Sequence, residues 1–581
     1  MNDNYRYILA GLLIFLIILL QPVYLEWLGL GYDAAPEINK DERLLPYVDD
    51  ILLPPAAEDI KSPLKKSLIL DVPELSPIVL VTPLYIATLS SRSGGSFEKY
   101  ALIQKSAEKL KYSGGYGDDG HYNKDVPVSL ILSNENYCLP CLAAYDDLND
   151  RYDFINFPFR LISYVDSSDT LFLFAGESKT LEYVLNDGKG NPLIRKSVTF
   201  SADNFVSLHS FSINEENFDY YNNLEIMWDG GLRPSEEKLN EDIQYSSGII
   251  SQAGELEDLQ VTGSDKNISR TLFSGKTDWT AIRSKYFINA LLADTPGSFA
   301  SMSAQNIGFG EADRAPLYKI SIGYPLNTYN ILARVYLGPL DIDYISQTGT
   351  TLDETMNWGW VIIRPISKGI LWVLKFMHNA LHLNYGLVLL LFALLIRLIT
   401  GPLTKKSYES TQKMQKIQPE IKKMQSKYKG DSQRLNREMM GMYKKHGVNP
   451  LGGCLPMVIQ MPLLMALFIV FRTTIEFRGQ PFILWIKDLS KPDIVFHLPF
   501  NIPIYGDGVA ILPLLMGVTL FLTMRMSSAT MDKSQKPVMY FMNGFFILLF
   551  NTFPSGLNLY YTTYNIFSFL QQQGIKKRLA S

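Results

Sequence analysis

Residues 384–403 read NYGLVLLLFALLIRLITGPL, an apolar run long enough to cross a membrane that Arg397 alone interrupts with a charge. A charged side chain at membrane depth costs about 3 kcal/mol on insertion scales, so it normally faces a partner, a polar cavity or the membrane surface. The other apolar segments of the C-terminal half contain no acidic residue that could pair with it. Two explanations follow. Either Arg397 lines a polar intramembrane cavity, or its side chain extends to the end of the segment that Pro402 and Lys405 mark.

Charge divides the chain into two unlike parts. Residues 358–581 contain 26 lysines and arginines against nine acidic residues. Residues 1–357 contain the other 28 of the 54 basic residues and the other 49 of the 58 acidic residues. The basic part carries long apolar segments, whereas the acidic part alternates short β-type runs with turn residues. The two parts are therefore expected to face different surroundings.

Six membrane spans are predicted. The first, within residues 1–30, has no small-x-small cleavage site after its apolar stretch, which favours an uncleaved anchor over a signal peptide. The second is 385–403. Residues 450–573 contain the other four: Leu455–Phe471, Val509–Met524, Val538–Phe553 and Pro554–Leu570.

The connecting segments predict the orientation of these spans. Residues 404–449 contain twelve lysines and arginines against four acidic residues, which is typical of a cytoplasmic loop. Six alternating spans then place both termini in the cytoplasm, including the basic tail 574–581. The acidic region accordingly lies outside the cytoplasm.

The exported region is predicted to be a linker, 31–63, followed by an all-β sandwich domain, 64–357. Turn-type residues such as Gly94-Gly95 and Asp187-Gly188 separate short alternating or β-branched runs. These runs are Ile78–Thr82, Val128–Leu132, Leu171–Phe174, Ser197–Phe200 and Lys319–Ile322.

Cys138 and Cys141 form a C-x-x-C pair in this exported region. A local disulfide is the leading interpretation, because exported domains are disulfide-permissive. Two unpaired thiols are the next alternative, and a redox or metal role is a third. A zinc site needs two further ligands, and only six histidines are scattered through the chain, so no metal site is expected.

The later spans are short and polar. A span of sixteen residues such as 538–553 covers about 24 Å as a helix, whereas the hydrocarbon core is about 30 Å thick, which predicts a locally thinned membrane. The last span has polar residues at positions i, i+3, i+4 and i+7. Hydrogen bonding between helices explains such a stripe, and so does a hydrated groove open to the cytoplasm, formed together with Gln460 and Arg397. The stripe is Asn558, Tyr561, Thr562 and Asn565.

Residues 358–384 are predicted to form an amphipathic helix lying at the outer membrane interface, with the packed end of the soluble domain as the alternative. Residues 404–449 are predicted to form a cytoplasmic helical hairpin with two narrow apolar stripes. Methionine-rich stripes suit transient contact with hydrophobic clients, although plain packing of two helices fits the spacing equally well. The stripes contain Met414, Ile417, Ile421 and Met424 on the first helix and Leu435 and Met439 on the second.

The C-terminal part of the chain contains a series of short motifs. They are Ile396-Arg397, Gly401 to Lys405, Gln418-Pro419, Glu438 to Met440, Val448 to Pro456, Gln460 to Pro462, Leu514 to Thr519, Phe553 to Leu557 and Leu559 to Tyr561. With these motifs in the family's order and spacing, residues 357–581 resemble the YidC family of membrane protein insertases. Weaker similarities to its large periplasmic domain, typical of the Gram-negative branch, occur at Gly94-Gly95, Trp228, Gly230-Gly231-Leu232, Lys285-Tyr286-Phe287 and Gly338-Pro339.

The resemblance implies a helical bundle of six spans, five of which form the insertase core, in the bacterial inner membrane. Arg397 would be the single positive charge of a hydrophilic groove that Gln460 and Asn565 line. Relatives often carry a hydroxyl one turn before the arginine, where this chain has Ala393, so Asn558 and Thr562 are expected to supply part of the polar lining. The positions implied to contact a client helix are Leu464, Met516, Tyr560 and Tyr561.

The expected function is a membrane protein insertase and chaperone, not an enzyme and without a cofactor, because the sequence shows no nucleotide-binding glycine loop or nucleophile constellation. Expected partners are nascent membrane proteins, membrane lipids, the Sec translocon and the ribosome or signal recognition machinery, with no direct contact to nucleic acid. The short tail after Gln573 weakens any ribosome tether. Two alternatives are a secondary transporter with its substrate site at Arg397, and a membrane-anchored sugar-binding protein.

Overall fold

The computed structural model divides the chain at Met356 into a β-rich unit and a helical unit. The predicted anchor 1–30 and the linker 31–63, except for its last residue, lie outside the described residues. The structure describes residues 63–580 apart from 66, 107–108, 118–119, 133–137, 148, 164–168, 219–222, 262–266, 310–311, 326, 429, 448–454, 504 and 528–535.

In its described residues, the β-rich unit has 22 strands and two short α-helices, which confirms the prediction of a mostly β domain. The strands are β1 (Leu70–Asp71), β2 (Ile78–Val81), β3 (Tyr85–Ser90), β4 (Ser96–Leu102), β5 (Lys105–Ser106), β6 (Lys109–Leu110), β7 (Ser113–Tyr116), β8 (Tyr122–Pro127), β9 (Cys141–Asp146), β10 (Arg151–Phe154), β11 (Arg160–Leu161), β12 (Thr170–Phe172), β13 (Ser178–Asp187), β14 (Pro192–Ser201), β15 (Val206–Ile213), β16 (Asn223–Trp228), β17 (Ser247–Gln252), β18 (Glu255–Leu259), β19 (Asn267–Arg283), β20 (Phe287–Phe309), β21 (Ala312–Pro325) and β22 (Asn330–Pro339). The helices are α1 (Leu239–Tyr245) and α2 (Ile342–Ile345).

Most strands belong to one large sheet with the order β1-β13-β14-β15-β22-β20-β21-β16-β9-β10, to which β11, β17, β18 and β19 attach. A second sheet has the order β12-β2-β3-β4. Four of the five predicted runs lie in strands. The fifth, Val128–Leu132, forms only an isolated bridge between Ser129 and Ala101, although its apolar side chains are buried.

Phe97 of β4 joins the two sheets. Its ring packs against Phe200 of β14 at 6.1 Å between centroids and against Trp228 of β16 at the same separation. All three side chains are buried. Aromatic side chains remove large apolar areas from water, so this cluster between the sheets is a main source of the unit's stability.

The C-x-x-C loop docks onto the buried amine of Lys196. The Lys196 Nζ donates hydrogen bonds to the carbonyls of Ser93 at 2.8 Å and Pro140 at 3.4 Å. Pro140 lies between Cys138 and Cys141, which form a disulfide. The leading interpretation of the cysteine pair is therefore confirmed. Burial lowers the pKa of the Lys196 amine to about 7.

The motif segments near Trp228 and Lys285 meet at the carboxylate of Asp242. This buried side chain accepts hydrogen bonds from the backbone N–H groups of Ser235 at 2.5 Å and Lys285 at 3.1 Å. Burial, followed by the neighbouring carboxylate of Glu236, raises the pKa of Asp242. These segments thus have a structural role, because they hold α1 against the large sheet.

The helical unit contains seven helices and one two-stranded sheet in its described part. The helices are α3 (Arg364–Leu381), α4 (Tyr385–Lys427), α5 (Ser432–Lys445), α6 (Leu455–Thr473), α7 (Ile511–Ser527), α8 (Lys536–Phe550) and α9 (Ser555–Ala580), and the strands are β23 (Ile494–Ile502) and β24 (Gly506–Ala510).

Two helices have bounds other than those of the predicted spans. Helix α4 is 43 residues long and continues past Pro402 to Lys427, so it includes both the predicted second span 385–403 and the first helix of the predicted hairpin. Proline removes a single backbone donor, and the long helix tolerates it. The fourth span starts at Ile511 rather than Val509, because Val509 belongs to β24.

Helix α9 is central to the unit, since it packs against α4, α6 and α7, and α8 packs against α7. Within the described chain, one helical stretch, Tyr385–Met414, is long and apolar enough to span a membrane. The apolar stretches of α6, α7 and α8 are shorter, at 10–17 residues. The count of six spans therefore stays a prediction.

Candidate functional site

Arg397 lies on α4 and is 4% exposed. Its Nη1 approaches the hydroxyl of Thr404 at 3.4 Å and the hydroxyl of Tyr564 on α9 at 3.5 Å. The guanidinium carbon lies 5.6 Å from the centre of the Tyr564 ring. Both polar contacts are long and therefore weak, and the face of the Tyr564 ring adds a cation–π contact.

Two further polar atoms of Arg397 have no hydrogen-bond partner. Nε and Nη2 are both buried, and no carboxylate pairs with the guanidinium among the residues that the structure describes. An uncompensated buried charge is expensive, which makes such a group a strong attractor for an incoming anion. Arg397 is also enclosed by protein, whereas a side chain that extends to the membrane surface would be exposed.

Helix α9 remains polar on the C-terminal side of Tyr564, the residue that contacts Arg397. Gln571 lies against Gly401 of α4, where a Cβ atom would come within 2.6 Å of the Gln571 Nε2. The side-chain oxygens of Gln571 and Gln572 are buried without a hydrogen-bond partner in the described chain. The amide of Gln572 donates to the Ser568 hydroxyl at 3.4 Å. The polar face of α9 therefore extends past Asn565 toward the C-terminal end of the helix.

Sequence reasoning missed Tyr564, Ser568, Gln571 and Gln572. A signal was present, because the spacing of Asn558 and Asn565 extends by helical periodicity to Ser568 and Gln572. The sequence signal for Tyr564 was weaker, because this residue directly precedes Asn565 and so lies outside the predicted polar stripe of α9.

The four predicted groove-lining residues lie on two helices, with Asn558, Thr562 and Asn565 on α9 and Gln460 on α6. Asn558 is fully buried, and its amide donates to the carbonyls of Phe550 at 3.1 Å and Phe553 at 3.3 Å, which ties the corner between α8 and α9. Thr562 bonds the Asn558 carbonyl within α9.

Asn565 is buried on α9, and its backbone carbonyl accepts a 3.4 Å hydrogen bond from Thr523 of α7. Gln460 of α6 is half-buried and lies near the hydroxyls of Tyr560 and Tyr561, and its Nε2 and both hydroxyls are buried without a hydrogen-bond partner in the described chain. The structure therefore brings Gln460 to the same face of α9 that leads to Arg397.

An aromatic ladder connects this region to Arg397. Tyr560 is fully buried, packs on Phe392 of α4 at 5.8 Å and stacks with Tyr564 at 5.9 Å. Tyr561 lies 5.0 Å from Tyr560, and its ring meets Phe550 at 5.8 Å.

The two remaining predicted client-contact positions lie on other helices. Leu464 is half-buried on α6, and Met516 is buried on α7. The predicted client-contact residues are therefore distributed over α6, α7 and α9.

The predicted hairpin stripes meet around Ile417 of α4 and Met442 of α5, which are both buried. Met414, Ile421, Met424 and Tyr443 pack against this pair, whereas Leu435 and Met439 are half-buried. Met440 is 55% exposed, so the hairpin keeps an apolar side chain available for contact. The turn between the helices is closed by the Asp431 N–H, which donates to the Tyr428 carbonyl at 3.1 Å.

Two family descriptions match this chain. The family described as 60Kd inner membrane protein matches residues 376–581, and the YidC periplasmic domain matches residues 163–373. A membrane protein insertase YidC from Chloroherpeton thalassium is 34% identical over 520 residues, which cover 82% of this chain and 87% of the relative. The chain belongs to the YidC family of membrane protein insertases.

A further relative agrees with that assignment. The membrane protein insertase YidC of Chlorobaculum tepidum is 33% identical over 510 residues, covering 85% of this chain and 81% of the relative. A crystal structure titled as an active YidC insertase with its first transmembrane domain resolved covers 87% of this chain at 15% identity and a TM-score of 0.32. Members of the YidC family are inner membrane proteins that insert other proteins and are not enzymes.

Proposed function

We propose that this chain is an inner-membrane insertase and chaperone whose hydrated groove centres on Arg397. Polar segments of a client would enter the groove from the cytoplasm and leave on the exported side, while its apolar helix would move sideways into lipid. The buried guanidinium with two unpaired N–H groups carries this proposal. Such a group gains most when an acidic side chain approaches it in a low-dielectric site.

The neighbouring helices support the same mechanism. Helix α7 has 17 residues and α8 has 15, so each covers only about 22–26 Å. Helices this short favour a thinned membrane, which shortens the path of a hydrophilic segment. The driving forces would be the burial of the client's apolar helix in lipid and, for acidic segments leaving the cytoplasm, the membrane potential.

The proposed topology follows from charge. The helices that contain the hairpin stripes would be cytoplasmic, because residues 404–449 carry twelve basic residues against four acidic ones. Both termini would be cytoplasmic and the β-rich unit periplasmic. Proposed partners are nascent membrane proteins, lipids, the Sec translocon and, through a short tail, the ribosome or signal recognition machinery.

Family membership favours the insertase over the secondary transporter that Arg397 alone could suggest, and the sequence has no inverted repeat of the kind that many transporters show. The buried polar groups of Asp242 and Lys196 form hydrogen bonds within the β-rich unit. They therefore give no support to a sugar-binding role of this unit.

Photocrosslinking during translation of a small membrane protein tests the client path. Photoreactive residues at Leu464, Met516 and Tyr561 should crosslink the nascent chain, whereas one at Trp372, which is 67% exposed on α3, should not. Equal crosslinking from Trp372 and from the three groove positions would contradict the proposed client path.

A further inference from the structure

The hairpin of β23 and β24 lies between α6 and α7 in the chain and forms a separate two-stranded sheet. Its first strand reads IVFHLPFNI and is largely exposed. Val495 is 43% exposed, Phe496 54% and Phe500 60%. A two-stranded hairpin without a core is marginally stable in water, so this composition requires an explanation.

Strand β24 is firmly held from the turn of the hairpin to its junction with α7. The Asn551 side chain donates to the carbonyl of Tyr505 in the turn at 2.8 Å and to that of Gly508 at 2.6 Å, and it accepts from the Ala510 N–H at 3.0 Å. At the base, the Asp493 carboxylate accepts from the backbone N–H of Leu512 at 2.8 Å and from the Trp485 indole at 2.8 Å. The turn and β24 are therefore fixed to the bundle, whereas β23 is the exposed strand, and the start of α7 forms a rigid base.

This base marks one end of the helical bundle. The N–H of Ser555, at the start of α9, donates to the Lys491 carbonyl at 2.8 Å. Lys375 of α3 forms an ion pair with Glu476 at 3.2 Å, just after α6. Helix α3, the end of α6 and the starts of α7 and α9 therefore share one end of the bundle with the hairpin.

Other exposed apolar side chains lie at the same end. Trp372 and Phe376 of α3 are 67% and 58% exposed, and Leu484 in the segment before the hairpin is 82% exposed. Aromatic side chains of membrane proteins concentrate where the helices meet the membrane surface.

We propose that the β23–β24 hairpin is a membrane-interface anchor that lies in the lipid headgroup region at this end of the bundle. Phe496 and His497 pair in regular register with Val509 and Gly508, so their side chains point to opposite faces of the strand, yet both are exposed. A docked protein would cover one face and leave the other in water. Lipid surrounds the hairpin and covers both faces.

The depth of the hairpin follows from its polar groups. The outer edges of a two-stranded sheet carry unpaired backbone groups, which cannot be satisfied in hydrocarbon. His497 and Asp507 lie 3.1 Å apart on the hairpin, and their side chains are 65% and 60% exposed. Both features fit the hydrated headgroup layer rather than the bilayer core. The inference needs membrane residence, but it does not depend on the groove around Arg397.

Spin-label accessibility in the full-length protein tests this anchor. Phe496→Cys and His497→Cys are made separately in a Cys454→Ala background, where the buried disulfide does not react. Each nitroxide-labelled protein is reconstituted into vesicles of phosphatidylethanolamine and phosphatidylglycerol. Collisions with oxygen, which concentrates in lipid, are compared with collisions with a water-soluble nickel chelate. The control label is Lys189→Cys, in the exposed turn between β13 and β14.

Both hairpin labels should collide with oxygen several-fold more often, relative to nickel, than the Lys189 label does. The same labels in detergent-free nanodiscs of a different headgroup should keep that ratio, because the contact is with the interface and not with one lipid. Nickel accessibility equal to that of Lys189 at both positions would overturn the proposal. Shielding at only one of the two positions would also overturn it and would indicate a protein bound to one face.

Discussion

Replacing Lys196 by methionine should change how the stability of the β-rich unit depends on pH. The Lys196 amine is 1% exposed and donates to the carbonyls of Ser93 and Pro140. Burial lowers its pKa from 10.5 to about 7 in the folded state. The unfolded chain therefore binds a proton between these two values that the folded chain does not bind.

The sign and size follow from this difference. Because the folded-state pKa is lowered, the free energy of unfolding falls as the pH drops from about 10 to about 7, and it levels off below that range. The slope approaches about 1.4 kcal/mol per pH unit, and the full difference corresponds to about 5 kcal/mol. Methionine removes this cost but leaves the Ser93 carbonyl without its donor, at about 1–3 kcal/mol, whereas the Pro140 carbonyl still accepts from the Ser96 hydroxyl at 2.9 Å. The net gain expected for Lys196→Met at pH 7 is about 2–4 kcal/mol.

The assay is urea unfolding of residues 63–356 at pH 7, 8 and 9. Burial, followed by the charge of Lys196, lowers the pKa of the nearby His209, so this imidazole stays neutral throughout that range. Lys189→Met, at an exposed turn, is the matched control and should keep the slope of the unmodified fragment. If Lys196→Met keeps that slope as well, the buried amine is not the group that titrates and the reasoning fails.

Two further predictions concern topology and the β-rich unit. In a Cys454→Ala background, a cysteine at the exposed Ser426 should be protected from an impermeant thiol reagent in intact cells. A cysteine at the exposed Ser178 should react with the same reagent once the outer membrane is opened. Reversed labelling would contradict the six-span topology. Deleting residues 64–340 should leave insertion of a small client measurable, because the candidate groove and the short helices all follow Met356, and complete loss at normal protein level would give the β-rich unit a direct role.

Sequence periodicity predicted much of the helical unit because apolar stripes at helical spacing are long there. It failed where a strand and the following helix have the same apolar composition. The apolar run from Val509 joins β24 to α7, and hydropathy does not distinguish a short strand from the start of a helix. The β23 strand was missed because Pro499 interrupts it and its register with β24 is irregular.

The candidate site was predictable in part. A charge within an apolar run identified Arg397, and helical spacing identified Asn558 and Asn565. The roles of individual atoms depended on tertiary structure, since only packing shows that the Asn558 amide bonds the corner carbonyls. Tyr564 emerged only from the contact between α4 and α9, which no local pattern encodes.

The charge of Arg397 is the central claim and can be measured with a client whose exported tail is acidic. Arg397→Lys keeps the charge and should retain most insertion, Arg397→Ala should lose at least half of it, and Arg397→Glu should be lowest, because a buried carboxylate repels the acidic tail. Neutralising the acidic residues of the client should reduce its dependence on Arg397. Equal insertion by the unmodified, Ala and Glu proteins at matched expression would contradict a groove that works through this charge.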